Sequence, residues 1–301
     1  MLSGIGPRKV LESLQIPIKV ALPVGRNLRD RIATTALQFQ VNTFTFADHR
    51  ITKEVYEEVF LNEKGPLTSA AGVDAIGFIN SKYNEQFDWP DIEIFLLSAS
   101  VATVKALRTL FKPNEELQHA LNMFKDSDVI SCIPYVARAK SQGVMVINST
   151  DPYDKPLVDL NLFSHPYDIK IIIEGMKYCL KLASTEPMQR FGARPLPYVM
   201  PGCEKYEWLS DEYLGCMAVA FPFTAHHFIG TCKMGHPTDP TTVVDSTLRV
   251  KDVKGLRVVD ASIIPNNIGS HTMAPVMMIA DKVSDFILAD YKRSHKYEYR
   301  K

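Results

Sequence analysis

An apolar segment that ends in a carboxylate, near the C-terminal end of the chain, constrains the fold most. Residues 255–262 read Gly-Leu-Arg-Val-Val-Asp-Ala-Ser, which predicts a strand buried on both faces with Asp260 at its carboxyl end. In open α/β sheets, ligands bind outside the carboxyl ends of the strands. We therefore predict that Asp260 accepts a hydrogen bond from a ligand hydroxyl, for example on a ribityl or ribose chain. The alternative is a carboxylate that only caps a turn.

An apolar helix follows this segment, and its first turn is a candidate anion site. The helix is predicted to begin near Ala274, with Pro275 in its first turn, and to continue to about residue 287. The first N–H groups of a helix have no partner within it, and the helix end carries roughly half a positive charge. We predict that the N–H groups of nearby residues such as Val276 and Met277 stabilise an anionic group, for example the edge of a reduced flavin. An ordinary buried helix explains the apolar residues equally well.

Two histidines stand on the loops that border the predicted strand. His227 precedes the strand, and His271 lies between the strand and the helix. Imidazole has the unperturbed pKa closest to neutrality, so two such rings over one ligand suit proton transfer in a closed pocket. Each histidine could instead be structural. A metal site is the weaker alternative, because neither a helical HxxxH pattern nor a carboxylate cluster accompanies His226, His227 and His271.

Composition and charge narrow the class of protein and of substrate. The chain has 301 residues, of which 46% are hydrophobic, enough for a substantial core in one large or two ordinary domains. Its 34 basic residues equal its 34 acidic residues, so no excess of basic charge indicates binding to nucleic acid or to an anionic membrane. No apolar run reaches the roughly 18 residues of a membrane span. These features favour a globular protein with an uncharged small-molecule substrate.

The cysteines form no local pattern. They are odd in number, widely spaced and without a CxxC pair: Cys132, Cys179, Cys203, Cys216 and Cys232. We therefore predict neither a zinc site nor a disulfide framework, and the redox compartment stays open.

Periodicity along the rest of the chain predicts a fold of mixed α/β and α+β class. Alternating or continuous apolar residues predict strands, and apolar residues at helical spacing predict helices. Strands bracketed by helices, with few βαβ alternations, predict a mixed or antiparallel sheet. The predicted strands are residues 38–46, 75–79, 92–96 and 143–148, and the predicted helices are residues 8–14, 53–61, 99–111, 167–182 and 210–220.

The C-terminal motifs resemble those of the glucose-methanol-choline (GMC) flavin oxidoreductases. Residues 227–235 (HFIGTCKMG) resemble the family's HxxGTCxMG pattern, and residues 244–245, 248–250, 255–262 and 270–275 resemble family segments in the same order. Residues 2–7, 22–30, 65–68 and 151–156 also resemble family segments. The likeness covers nearly the whole chain and is strongest to the insect glucose dehydrogenase-like branch.

The resemblance implies an FAD-dependent oxidoreductase that acts on CH–OH groups, as alcohol and sugar dehydrogenases do. By position, His227 is the implied catalytic base, and His271 is the second histidine, which orients the hydroxyl or shares the proton. His226 is then a neighbour, because the family's histidine lies three residues before Gly-Thr-Cys. The implied cofactor-binding residues are Asp260, Ala261, His271, Thr272, Met273, Ala274, Pro275 and Val276.

The resemblance also implies a domain plan and a partial GMC fold. Residues 1–32 and 226–301 would belong to an α/β FAD-binding domain, and residues 33–225 would form a substrate domain with a mixed or antiparallel sheet and flanking helices. The family's N-terminal Rossmann βαβ unit, whose GxGxxG binds the FAD pyrophosphate, has no counterpart in these residues. We therefore expect a fragment or a truncated product that binds FAD weakly on its own. The alternative is a non-catalytic binding or interaction protein.

The implied partners are a small alcohol or sugar substrate and an electron acceptor, either a quinone or oxygen. Secretion is also implied, because relatives are often secreted. One departure from the family pattern is Arg31, which stands where many relatives carry a histidine, so the role of that histidine does not carry over.

Overall fold

The chain forms two compact units. In this computed structural model, the described residues are 1–69, 72–224 and 226–295, without the side chains of residues 294 and 295. The first unit comprises Met1–Asp30, Ala139–Ser164 and the described residues from His226 onward. The second comprises Arg31–Arg138 and the described residues from His165 to the end of that segment at residue 224. Residues 139–164 thus lie in the first unit, although the domain plan from the sequence grouped them with residues 33–225.

The regular elements alternate short strands with helices of very different lengths. The strands are β1 (Ile5–Gly6), β2 (Val20–Ala21), β3 (Ile32–Thr34), β4 (Gln38–Gln40), β5 (Val73–Ile79), β6 (Ile92–Leu97), β7 (Val129–Val136), β8 (Val144–Val146), β9 (Leu157–Asp159), β10 (Arg194–Pro195) and β11 (Pro222–Thr224). The helices are α1 (Arg8–Ser13), α2 (Lys53–Asn62), α3 (Lys105–Phe111), α4 (Glu115–Asn122), α5 (Pro166–Ala183), α6 (Glu186–Gln189), α7 (Asp211–Ala220) and α8 (Met273–His295).

A seven-stranded antiparallel sheet organises the second unit, with β7 at its centre. All eight residues of β7 are buried. One edge of β7 pairs with β6, and the other pairs with β4 in its first half and with β3 at its end. Pro134 lies between the residues of β7 that pair with β3 and those that pair with β4, and on the other edge it stands opposite Ile94 of β6. The antiparallel sheet predicted from the sequence is therefore present, although its central strand was not predicted.

Helix α5 covers the sheet, and a disulfide fixes it there. Its buried residues recur at helical spacing, which is why the helix could be predicted from the sequence. Gly175 allows close packing, because a Cβ at this position would lie 2.6 Å from the Cβ of Pro134 in β7. Cys132 of β7 is bonded to Cys179 of α5.

The prediction that the chain lacks a disulfide framework was wrong. A second disulfide joins Cys203 to Cys216 of α7, and among the residues described only Cys232 is a free cysteine. The paired residues are 47 and 13 positions apart, with Cα atoms at 5.8 Å in both pairs. Only the folded chain brings such cysteines within bonding distance, so no local sequence motif indicates that they are paired.

Two further predictions in the second unit were wrong in extent. The predicted strand 38–46 ends at Gln40, and the predicted helix 99–111 begins only at Lys105. The hydroxyl of Ser100 accepts a hydrogen bond of 2.9 Å from the N–H of Ala102, so a side chain takes over a backbone donor and delays the helix. Arg31 is buried here in an ion pair with Glu93, and its guanidinium lies 5.2 Å from the ring of Tyr135.

The first unit has little regular sheet and is held by a core of loops against α8. Strands β1 and β2 form a parallel pair, and β8 and β9 form an antiparallel pair. Ile279 and Val283 of α8 belong to a buried cluster with residues of the His227 and Asp260 segments, including Ile229 and Ile263. No helix in the described part of the chain is long and apolar enough to cross a membrane.

The predicted buried strand at residues 255–260 is absent. This segment pairs with residues 248–250 through the bridge between Arg249 and Arg257, flanked by two backbone hydrogen bonds. Leu256 is 41% exposed and Val259 is 37% exposed, so the segment is not buried on both faces. An apolar run becomes a central strand only when strands pair with both of its edges, and the described residues supply a single short partner.

Candidate active site

The imidazoles of His227 and His271 lie side by side in the first unit. Their ring centroids are 5.0 Å apart and their planes meet at 83°. His227 is half-buried and His271 is exposed. The two rings stand 44 positions apart in the sequence (271 − 227), and the fold brings them to one place with access to solvent. Such a pair can bind one hydroxyl group from two sides and accept its proton.

The loop that carries His227 is anchored on residues 29 and 30. Arg29 and Ile229 exchange two backbone hydrogen bonds, of 3.1 and 3.0 Å. The N–H of His227 donates to Oδ1 of Asp30 at 3.1 Å, and the Asp30 side chain is nearly buried. These bonds hold the backbone on both sides of the His227 side chain.

His226 packs on a different ring from its neighbour His227. Its φ is +55°, in the left-handed region that histidine adopts more readily than most residues. The ring of His226 packs edge to face on Phe228, with centroids 5.8 Å apart. The rings of His226 and His227 therefore contact different aromatic partners, Phe228 and His271 respectively.

Gly230 has a conformation and a contact that a side chain would disturb. Its φ is +87°, and a Cβ placed on it would lie 2.2 Å from the carbonyl oxygen of Asn27. The glycine of the HFIGTCKMG motif therefore permits the close approach between the His227 loop and the segment at residues 27–30.

The loop before His271 is tied to the same segment by two asparagines. Nδ2 of Asn27 donates to the carbonyl of Pro265 at 3.0 Å. Asn267 is buried, and its Nδ2 donates to the carbonyls of Ala139 at 2.9 Å and Asp30 at 3.4 Å. Reasoning from the sequence did not single out Asn27, Asp30 or Asn267 as site residues. Asn27 and Asp30 do lie within residues 22–30, one of the segments that resembles the GMC family.

The N-terminus of α8 lies two residues after His271, but its free donors differ from those predicted. The helix begins at Met273, so Pro275 is its third residue. The N–H of Val276 donates to the carbonyl of Thr272 at 3.0 Å and is therefore satisfied within the helix. Within the described part of the chain, the unpartnered N–H groups of this turn are those of Met273 and Ala274, both exposed residues. The predicted assignment to Val276 and Met277 was wrong, because the helix begins one residue earlier than predicted and the Val276 N–H already has a partner in Thr272.

Asp260 caps a turn and keeps an exposed carboxylate. Its Oδ1 accepts a hydrogen bond of 2.7 Å from the N–H of Ser262, at the start of the short 3-10 helix Ala261–Ile263. The turn-capping alternative is thus what the backbone shows, while the exposed side chain retains acceptor positions for a ligand hydroxyl.

Cys232, in the same motif as His227, is not activated. Burial raises the pKa of its thiol, and the nearby charge of Asp260 acts in the same direction, against a lowering hydrogen bond with Ser262. The thiolate is the nucleophilic form of cysteine, so a raised pKa keeps Cys232 in its unreactive state.

Comparison with known proteins relates the chain that carries this histidine pair to a family of oxidoreductases. Residues 139–280, which include both histidines, match the family model described as GMC oxidoreductase. The chain belongs to the GMC oxidoreductase family, of which it carries a C-terminal portion.

Individual relatives agree with this family assignment. The chain is 31% identical over 286 residues to glucose dehydrogenase (FAD, quinone) of Drosophila pseudoobscura pseudoobscura, covering 94% of this chain and 43% of the relative. It is 29% identical over 299 residues to ecdysone oxidase of Bombyx mori, covering 98% and 43%. The crystal structure of a formate oxidase shares the fold with a TM-score of 0.78 at 24% identity, covering 97% of this chain and 52% of that one. The chain spans about half the length of the proteins it matches.

Proposed function

We propose that the protein containing this chain oxidises a CH–OH group of a small alcohol or sugar with FAD as cofactor. The observation that carries the proposal is the pair of imidazoles 5.0 Å apart, of which His271 stands two residues before the N-terminus of α8. Both histidines occupy the positions implied by the family motifs. Two of the named relatives, a glucose dehydrogenase and an ecdysone oxidase, support a hydroxyl-bearing substrate.

The residues at the start of α8 fit the anionic edge of a flavin. The backbone N–H groups of the exposed residues Met273 and Ala274 have no partner among the residues described and lie at the positive end of a 23-residue helix. The exposed carboxylate of Asp260 supplies an acceptor for a hydroxyl of the cofactor. When bound, FAD would accept the hydride of the substrate carbon.

The histidines would control the proton of the substrate hydroxyl. We assign His227 as the base, because the hydrogen bonds of residues 227 and 229 to Asp30 and Arg29 fix its backbone. His271 would orient the same hydroxyl from the second side. A base must be neutral to accept a proton, and removal of that proton strengthens hydride donation from the carbon. We propose a quinone or oxygen as the final electron acceptor.

The His227→Ala variant tests this function. General-base catalysis contributes about 10²–10⁴-fold, so the rate constant for flavin reduction by substrate should fall by that factor. The measurement is anaerobic stopped-flow absorbance of the FAD-loaded protein over a panel of alcohols and sugars. His226→Ala is the matched control, because His226 packs on Phe228 instead, and it should keep the wild-type rate. A wild-type protein that binds flavin but is reduced by no alcohol would favour a non-catalytic role.

We also propose that the protein works in an oxidising compartment outside the cytosol, in keeping with secretion. Disulfides form and persist in such environments and are rare in cytosolic proteins. The two disulfides of the second unit support this location. The test is to isolate the protein from its native tissue, denature it in the presence of an alkylating reagent and count the modified cysteines. One alkylated cysteine in this chain, Cys232, is expected, and five would contradict the proposal.

A further inference from the structure

The segment from Asn27 to Asp30 contacts both histidine loops. On one side it bonds to the His227 loop, through the Arg29 backbone and the Asp30 carboxylate. On the other side it bonds to the loop before His271, through the Asn27 side chain and the Asp30 carbonyl. We name residues 27–30 the anchor segment. Both loops thus share one support in the first unit.

We infer that Asp30 is a positioning residue for the histidine pair and that Asn267 is its counterpart on the His271 loop. The inference rests on the proposed function for its catalytic consequence. Neither residue would touch substrate. Each would set the place of one imidazole relative to the other by holding the backbone of its loop on the anchor segment.

The geometry around Asp30 supports this role. The Asp30 side chain is 5% exposed, and its carboxylate accepts the N–H of His227 itself, not of a more distant loop residue. The backbone of the proposed base is therefore held directly by a buried side-chain oxygen, at 3.1 Å. The carbonyl of the same residue accepts from Asn267, four positions before His271.

Asn267 uses one amide nitrogen for two carbonyls. Its side chain is 6% exposed, and Nδ2 reaches the carbonyls of Ala139 and Asp30. Ala139 begins the chain segment that returns to the first unit after the sheet. Asn267 therefore connects three separate stretches of the first unit beneath the His271 loop.

Loss of either residue should therefore slow the reaction by displacing one imidazole relative to the other. A misplacement of about 1 Å in a reacting group can lower a rate about 10²-fold. Loss of either anchor should therefore lower the rate constant for flavin reduction by about that factor, while the KM for substrate changes little. Both residues are inferred to set the same distance, that between the two imidazoles. The rate losses of the two single variants should therefore not multiply in the double variant.

Four variants test the inference: Asp30→Ala, Asp30→Asn, Asn267→Leu and the double variant Asp30→Ala/Asn267→Leu. Asp30→Asn keeps an oxygen that accepts the His227 N–H, so it should restore most of the rate lost in Asp30→Ala. The double variant should be slowed far less than the product of the two single effects. Asp245→Ala is the matched control, because Asp245 caps a turn in the same unit through Thr247 and Arg249 and is remote from both loops in its hydrogen bonds.

Crystal structures of the same variants supply a readout that does not depend on turnover. The separation of the two ring centroids, 5.0 Å here, should change in Asp30→Ala and Asn267→Leu and be kept in Asp30→Asn and Asp245→Ala. An unchanged separation in Asp30→Ala would overturn the inference. So would an Asp30→Asn variant as slow as Asp30→Ala, since charge and not geometry would then be decisive. If the wild-type protein oxidises no alcohol, the proposed function fails, and the ring separations still decide the positioning role.

Discussion

Gly230→Ala tests how closely the His227 loop must approach the anchor segment. Gly230 is three residues after His227, and both its backbone conformation and its surroundings oppose a side chain. A matched control exists in the same unit: Gly255 also has a positive φ, +74°, but a Cβ placed on it would meet nothing within 4 Å. The difference between the two alanine variants therefore isolates the contact with Asn27 from the cost of the backbone conformation.

The magnitudes follow from these two environments. An alanine in the left-handed region costs roughly 1–2 kcal/mol, and this is the whole expected loss for Gly255→Ala. At Gly230 the added Cβ must move from 2.2 Å to at least 3.0 Å from a backbone oxygen, a displacement of about 0.8 Å. Overpacking of this kind costs about 1–3 kcal/mol more. We therefore expect Gly230→Ala to lower the free energy of unfolding by about 2–5 kcal/mol in total.

The functional consequence is measured separately from stability. Urea unfolding followed by far-UV circular dichroism gives the two free energies of unfolding. Stopped-flow flavin reduction under native conditions should be slowed about 10²-fold in Gly230→Ala, because the loop of the proposed base moves, and should be close to wild type in Gly255→Ala. Equal stability and equal rates in the two variants would refute the argument from close approach.

Two further predictions concern the second unit. Replacing both cysteines of the β7–α5 disulfide by alanine should lower the free energy of unfolding by about 4 kcal/mol. The same replacement in the second disulfide should lower it by about 3 kcal/mol, because the loop-entropy effect is smaller for cysteines that are closer in the sequence. Thermal unfolding of the two double variants tests this order. Partial burial opposes ionisation of Asp128, but hydrogen bonds from Arg50 and Thr45 outweigh it and lower the pKa of its carboxyl. A lowered pKa contributes stability that is present above the unfolded-state value of about 3.9 and is lost as the pH falls below it. The free energy of unfolding should therefore fall less steeply in acid for Asp128→Asn than for wild type, and parallel pH profiles would contradict the assignment.

Local patterns were sufficient for several elements and for the family. Helices α5 and α7 were predicted because their apolar spacing and caps lie within a single stretch of chain; Ser210 accepts the N–H of Tyr213 at the start of α7. The strands β5 and β6 were also predicted within a few residues, since both carry β-branched and aromatic side chains in short runs. The histidine motifs pointed to the GMC family because their residues are contiguous.

The remaining predictions were wrong where the structure depends on pairing between residues that are distant in the sequence. Strand β7 contains a proline and no alternation, and it is a central strand only because β3, β4 and β6 bond to its two edges. The apolar run at residues 255–260 looked like such a strand but finds only one short partner. A strand depends on partners that its own residues do not specify. The disulfides follow the same logic, because their cysteines meet only after α5 and α7 have docked.

The same distinction between local motifs and long-range packing applies to the candidate site. The sequence by itself determined which imidazoles to consider, His227 and His271, because their identities reside in short motifs. Only the tertiary structure decided that their rings stand 5.0 Å apart and that Asp30 and Asn267 hold their loops. The supporting side chains lie 197 and 237 positions from their partners, and hydrogen bonds over such separations are set by the packing of the whole unit.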